Sequence, residues 1–251
     1  MKLDNVVKIC LSGLLLALVI IFTRFLSFQN IPIIPFVRIS LGPALIIFAS
    51  IVLGPIYGGI VGGLSDILGI LLVPNALGYS INPYFTLVYT LLGVIPWCLF
   101  KLFSLIKKEN ILFWIFNSFL LGLWIFITVF ILLNPSVANV NFELYQRILI
   151  IVISFVLLSL TGFLVYFINK RFKNRGDVSV MNIAFVSLIS EIFIMLILNT
   201  IVKSIFFEID FFVIFFFQAI VFFIDVPLNT FVVSYLIKIL NQVSFKGRKY
   251  E

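Results

Sequence analysis

Residues 148–168 read ILIIVISFVLLSLTGFLVYFI, a run of 21 residues without a charge. A helix rises about 1.5 Å per residue, so a run of this length covers the roughly 30 Å hydrocarbon core of a bilayer. In lipid every backbone polar group must be bonded internally, so only helices and closed barrels span membranes. Barrel strands are about 10 residues long and alternate in polarity. This continuous run therefore predicts a transmembrane helix.

The composition extends this prediction to the whole chain. Hydrophobic residues make up 63% of the 251 residues and charged residues 11%, and the mean hydropathy is +1.28. A soluble domain is about half apolar and about a quarter charged, and a water-soluble fold could not hide this much apolar surface. We predict an all-α, polytopic transmembrane helical bundle that forms a single integral membrane domain over residues 1–251.

The chain divides into eight apolar segments that are separated by polar or turn-forming residues. The second and third are separated only by Gly54-Pro55, a strong turn signal. The predicted spans are residues 6–26, 39–53, 55–73, 84–106, 111–133, 146–169, 181–203 and 211–238.

The basic residues set the predicted orientation. With eight spans and an inner N-terminus, only Arg24, Arg38, Arg147 and Lys203 fall outside, so the other 13 of the 17 Lys and Arg residues fall inside. Cytoplasmic loops carry such an excess. The net charge of +7 is thus a topology signal rather than a nucleic-acid footprint, and both termini are expected on the cytoplasmic side.

Three acidic residues lie near the middle of predicted spans, where charge is costly. They are Asp66, Glu191 and Asp225, and no Lys or Arg is predicted at a comparable depth. Such acids must be protonated, hydrogen-bonded, hydrated or held for a ligand. Each is a functional-site candidate, although for Glu191 a structural hydrogen bond is the favoured interpretation.

The predicted outer ends of the spans combine cations, amides and aromatic rings. Arg24, Arg38 and Lys203 either extend to lipid headgroups or bind a carboxylate, for which arginine is well shaped. The outer loop at 73–86 reads VPNALGYSINPYFT, and Asn199 lies near the outer end of the seventh span. This lining suits an anionic organic ligand with a planar ring.

The sequence contains none of the usual patterns of an enzyme. It has no nucleophile–base arrangement, no cluster of metal-ligand residues and no glycine loop for phosphate, and histidine is absent. The glycines of the third span do not match a nucleotide fingerprint. We expect neither catalysis nor a cofactor, and uphill transport would need an ion gradient or an ATPase subunit.

Four stretches of the first half of the chain occur in a recognisable order. They are TRFLS at 23–27, PFVRISLG at 35–42, GPIYGGIVGGLSDILG at 54–69 and PYFTL at 83–87. Together they resemble the substrate-binding subunits, or S components, of energy-coupling-factor (ECF) vitamin transporters, in particular the folate family (FolT-like). The resemblance covers about residues 10–105 well and about residues 181–240 loosely.

The resemblance implies a six-helix core, whereas the apolar pattern predicts eight spans. Removing about residues 108–176 leaves six spans in the family's order. The expected organisation is therefore a core of residues 1–107 and 177–251 with an inserted two-helix hairpin. An even number of added spans preserves the orientation of everything downstream.

The resemblance also implies a function and partners. Such S components bind a vitamin from outside at high affinity and associate with a membrane coupling (T) subunit and two cytoplasmic ABC-type ATPases. The implied location is the bacterial cytoplasmic membrane, and the implied ligand is folate or a related pterin. Small residues of the first helix would form the face for the coupling subunit, here Ser12, Gly13 and Ala17.

The candidate ligand site follows from the outer cluster together with the resemblance. The cations are expected to meet carboxylates, Asp66 or Asp225 to accept hydrogen bonds from an amino-substituted ring, and tyrosines to stack on it. The predicted substrate-binding residues are Arg24, Arg38, Asp66, Asn75, Tyr79, Asn82, Tyr84, Thr86, Tyr89, Asn199, Lys203 and Asp225.

Three alternatives stay open at this point. One is an S component for another vitamin or vitamin precursor, because Gln218 and Asp225 stand where a basic residue is expected in folate-type members. The second is a stand-alone ion-coupled carrier with Asp66, Glu191 and Asp225 as a proton relay, although no inverted repeat is evident. The third is a membrane scaffold with a vestigial pocket.

Overall fold

The computed structural model is built almost entirely of helices, and it describes residues 4–27, 38–73, 81–105, 109–137, 140–172 and 179–247. The α-helices are α1 (Asn5–Ile20), α2 (Gly42–Leu53), α3 (Pro55–Leu72), α4 (Pro83–Ser104), α5 (Glu109–Leu133), α6 (Leu144–Phe172), α7 (Val180–Ser190), α8 (Asn199–Phe207) and α9 (Phe211–Gly247). Two π-helical segments complete them: Ile21–Phe25 extends α1, and Glu191–Leu198 joins α7 to α8.

The predicted helical membrane bundle is confirmed, with one correction to the spans. Within the described residues, seven helical segments are long and apolar enough to cross a membrane. The second predicted span, 39–53, is only the 12-residue helix α2, which is too short to cross a typical bilayer by itself. Pro43 lies in its first turn, where proline favours a helix start, so residues 39–41 stay outside the helix.

Gly54 makes the turn between α2 and α3. Its φ is +98°, a conformation that L side chains rarely adopt and that glycine adopts freely. The adjacent Pro55 is the first residue of α3, a favoured position for proline. The predicted Gly54-Pro55 turn is therefore confirmed.

The glycines of α3 bring its backbone against the backbone of α4. A Cβ at Gly62 would collide with the carbonyl oxygen of Tyr89, and a Cβ at Gly58 would collide with that of Gly93. Because glycine has no side chain, the two helices can approach this closely, as in other membrane bundles. The glycines of α3 therefore serve the packing of helices within this chain.

The helices α5 and α6 form a hairpin that packs on α7 and α9. A short antiparallel pair, β1 (Ser136–Val137) and β2 (Val140–Asn141), connects them and was not predicted from the sequence. The hydroxyl of Thr161 in α6 donates to the carbonyl oxygen of Phe223 in α9. By contrast, α1 packs on α2 and α3, so the hairpin and α1 lie against different parts of the bundle. That the hairpin is an insertion stays a prediction.

Candidate ligand site at one end of the bundle

The ends of four helical segments meet at one end of the bundle and carry most of the predicted site. They are the π-helical end of α1, the end of α3, the start of α4 and the end of α8. The rings of Phe85 in α4 and Phe206 in α8 meet edge to face, with centroids 5.8 Å apart. Side chains far apart in the sequence are thereby brought together.

A buried ion pair joins Arg24 to Asp66. Arg24 Nη2 lies 3.5 Å from Asp66 Oδ1, and each side chain is only 5% exposed. The hydroxyl of Thr86 donates to Asp66 Oδ2 at 2.9 Å, and Arg24 Nη2 also donates to the backbone carbonyl of Asp66 at 3.4 Å. The expectation that Asp66 lacks a basic partner is therefore wrong.

The pairing arises because the Arg24 side chain lies along α3 rather than extending to the membrane surface. Gly69 leaves the space for it: a Cβ there would lie 2.6 Å from Arg24 Nε. Arg24 itself belongs to the π-helical segment of α1, and short π-helical insertions occur frequently at functional sites.

Arg38 and Tyr89 connect this ion pair to the rest of the site. Arg38 is half-buried and within electrostatic range of Asp66, Tyr89 and Lys203. Tyr89 is also half-buried, and its hydroxyl interacts electrostatically with both Asp66 and Glu191. Tyr89 is thus within electrostatic range of Arg24 and Asp66 on one side of the site and of Glu191 on the other.

Lys203 is held by a second buried network. The side-chain amide of Gln218 is oriented so that both its oxygen and its nitrogen have hydrogen-bond partners. In this orientation Gln218 Oε1 accepts from Lys203 Nζ at 2.7 Å. Gln218 Nε2 then donates to the carbonyl of Met195 at 2.8 Å and to Thr200 Oγ1 at 2.6 Å. Gln218 thereby fixes the position of a cation at the site.

The two remaining acids are Glu191, at the start of the π-helical segment after α7, and Asp225 in α9. Asp225 is within electrostatic range of Lys203 and Glu191, so it too has a basic neighbour, contrary to expectation. Asn229 Nδ2 donates to Glu191 Oε1, which confirms a structural hydrogen bond for Glu191. Three acids and three cations (Arg24, Arg38 and Lys203) therefore share this region.

Not every predicted residue contributes to this cluster. Asn82 Oδ1 accepts from the backbone N–H of Tyr84 at 2.9 Å and so caps α4. The side chain of Tyr84 is 66% exposed, and Asn199 is buried where α8 begins. Asn75 and Tyr79 lie outside the described residues.

Sequence reasoning missed two contributors to the network, Asn229 and Thr90. Asn229 is buried and hydrogen-bonded to Glu191. Thr90 donates to the carbonyl oxygen of Thr86, one turn from the Asp66 contact. The i+4 spacing of Asp225 and Asn229 and of Thr86 and Thr90 was the available signal, because such pairs share a helix face.

The first half of the chain matches a known family. A family model described as "ECF-type riboflavin transporter, S component" matches residues 3–145, which is more than half of the chain. The chain belongs to this family. The resemblance of the sequence to the S components of ECF vitamin transporters is thereby confirmed.

A shorter match links this S component to a folate transporter. It is 38% identical over 73 residues to the folate transporter FolT of Clostridium novyi (strain NT), over 29% of this chain and 38% of that protein. The match spans well under half of that relative's length, so it does not transfer the relative's substrate to this S component. No solved structure matches this S component.

Proposed function

We propose that this S component captures folate or a related pterin from outside the cell and delivers it through a coupling subunit and two cytoplasmic ATPases. The observation that carries the proposal is the gathering of Arg24, Arg38 and Lys203 with Asp66 and Asp225 at one end of a bundle of this family. Such a site offers cations for carboxylates and acids for ring N–H groups.

The two similarities name different vitamins with related chemistry. Riboflavin and folate both contain a planar fused-ring heterocycle with a polar pyrimidine edge. A site with a half-buried Tyr89 and polar groups on two sides suits such a ring. Folate adds carboxylates, for which the cations at this end provide partners. Riboflavin is the second candidate, because the family model carries that description.

The contacts divide the proposed roles among the cations. Arg24 is held against Asp66 and Gly69, so we assign it the role of fixing α1 to α3 beside the ligand. Arg38 and Lys203 are assigned to the ligand's carboxylates. Gln218 holds the Lys203 ammonium at this end of the bundle, and a positive charge there suits a carboxylate of the ligand.

Titration of purified protein in lipid nanodiscs with folate, a reduced folate and riboflavin tests this function. We expect Arg38→Ala to weaken folate binding about 10-fold or more, because a hydrogen bond to a charged group contributes about 1.5–3 kcal/mol. Arg147→Ala is the matched control. Arg147 is a cation of the hairpin whose Nε donates to the carbonyl of Phe142, and its loss should leave affinity unchanged.

The outcomes separate the alternatives. Tight binding of riboflavin without binding of folate would show that the ligand is riboflavin rather than a pterin. Absence of binding to all three ligands and to other vitamins would contradict the proposal. Uptake into vesicles that contain this chain alone, driven by a pH gradient, would indicate an ion-coupled carrier.

A further inference from the structure

Buried polar atoms without hydrogen-bond partners concentrate on two packed helices. Within the described residues, six such side-chain atoms belong to α7 and α9. They are Asn182 Oδ1, Ser187 Oγ, Ser190 Oγ, Asp225 Oδ1, Asn229 Oδ1 and Ser234 Oγ. Native interiors leave very few polar groups unpaired, and ordered water is a frequent partner.

Four of these atoms belong to Asn229 itself or to residues within one helical turn of Glu191 or Asn229, the two residues joined by a hydrogen bond. Ser187 precedes Glu191 by one helical turn and so shares its face of α7, and Ser190 is the neighbour of Glu191 in the chain. Asp225 precedes Asn229 by one turn on α9, which packs on α7. We call these five residues the α7–α9 seam.

Four of the five residues of the seam are buried, and its two serines differ from most helical serines. Ser187 and Ser190 are 0% exposed, Asn229 1% and Glu191 3%. A helical serine or threonine commonly donates to a carbonyl three or four residues earlier, as Ser154 and Thr230 do in this chain. Neither serine of the seam makes that bond, so both hydroxyls are available to another partner.

We propose that the α7–α9 seam binds a cluster of ordered water molecules in the interior of the bundle. The unpaired groups include acceptors, Asp225 Oδ1 and Asn229 Oδ1, and two hydroxyls that both donate and accept. Water matches this mixture because it does both. Within the described residues there is no group of three or more His, Cys, Asp or Glu side chains that could hold a metal ion.

The backbone shape supports a site at this position. The helix changes from α to π at Glu191, and π-helical segments are frequent at functional sites. A buried water needs about two to four polar partners, and the seam offers at least that number. The water cluster hydrates Asp225, which lowers the cost of keeping an acid inside the bundle.

The sign of a stability change tests the proposal. If Ser187 binds water, Ser187→Ala removes a hydrogen bond and lowers Tm in detergent by about 2 °C or more. If its hydroxyl is dry and unpaired, the same change removes a desolvated polar group and raises Tm or leaves it unchanged, which overturns the proposal. Ser190→Ala is expected to behave as Ser187→Ala does.

Ser154→Ala is the matched control, because Ser154 is also 0% exposed but donates to the carbonyl of Ile151 at 2.9 Å. Its substitution leaves no seam group without a partner, so we expect a smaller decrease. A second measurement is independent of folding of the variants. A wild-type density map that resolves water should show it within hydrogen-bond distance of Asp225 Oδ1 and Asn229 Oδ1, and dry density there would overturn the proposal.

Discussion

At the scale of single residues, Asp66 unites three helical segments. Its carboxylate receives Arg24 from the end of α1 and Thr86 from the start of α4, while Asp66 itself lies on α3. A buried charge without its partner is costly. The ion pair therefore explains how α1, α3 and α4 keep a fixed arrangement beside the proposed ligand site.

We predict that Asp66→Asn strongly destabilises the protein. The amide keeps the shape of the side chain and an acceptor for Thr86, but it leaves the Arg24 guanidinium buried without a countercharge. Breaking such a pair costs about 3–5 kcal/mol, so Tm in a thermal-shift assay should fall clearly. Glu143→Gln is the control, because Glu143 is an exposed acid beside the hairpin turn.

A double-mutant cycle shows whether the effect comes from the pair. Arg24→Ala combined with Asp66→Ala should be less destabilising than the sum of the two single changes, because the residues interact directly. Strictly additive effects on Tm, or an Asp66→Asn protein as stable as the wild type, would contradict the structural role of this pair.

At the scale of elements, the packing of α3 on α4 depends on backbone contact. The Gly62 and Gly58 positions face carbonyl groups of α4 directly, so the two helices are closer than side chains allow. Backbone carbonyls move only with their helix. The positions therefore tolerate no side chain, although glycine is unfavourable in a helix by about 1 kcal/mol relative to alanine.

Gly62→Ala should destabilise the protein, whereas Gly122→Ala should not. A Cβ at Gly62 collides with the Tyr89 carbonyl, whereas a Cβ at Gly122 in α5 meets no atom within 4 Å. We expect the first change to cost about 1–3 kcal/mol and the second to be neutral or stabilising. Thermal unfolding measures both, and a stabilising Gly62→Ala would show that α3 and α4 do not approach this closely.

At the scale of the whole molecule, the hairpin and α1 pack on different helices of the bundle. The hairpin of α5 and α6 packs on α7 and α9, and α1 packs on α2 and α3. On α1, Gly13 and Ala17 are exposed and Ser12 is half-buried, and a Cβ at Gly13 meets no atom within 4 Å. The hairpin therefore leaves the proposed face for the coupling subunit uncovered.

Gly13→Trp should prevent co-purification with the coupling subunit while ligand affinity and Tm stay unchanged. The reason is that a large side chain on α1 meets open space within this chain but blocks close approach of another helix. Gly122→Trp is the matched control. Gly122 lines an apolar groove of about 630 Å³ between α5, the π-helical segment after α7 and the start of α9, so the indole has room there.

Retention of the complex by Gly122→Trp and its loss by Gly13→Trp would support docking through α1. If both variants retain the complex, the coupling subunit docks on another surface. If Gly13→Trp also loses ligand binding, α1 affects the ligand site rather than a separate interface.

The sequence by itself determined the class of protein and most of the helices. Apolar runs of membrane-spanning length, interrupted by Gly54-Pro55 and by polar loops, were sufficient because lipid requires internal bonding of every backbone group. The stretches at 54–69 and 83–87 were sufficient to recognise the family. These signals are local, since each depends on neighbouring residues only.

Only the tertiary structure decided which charges meet. Arg24 and Asp66 are 42 residues apart, and the sequence assigned them to different depths, because it does not show that an arginine side chain runs along Gly69. The sequence also did not show three other features: the bond between Lys203 and Gln218, the contact of Glu191 with Asn229, and the π-helical segments. They depend on how helices rotate and approach one another, and that is set by packing over the whole bundle rather than by any single stretch of sequence.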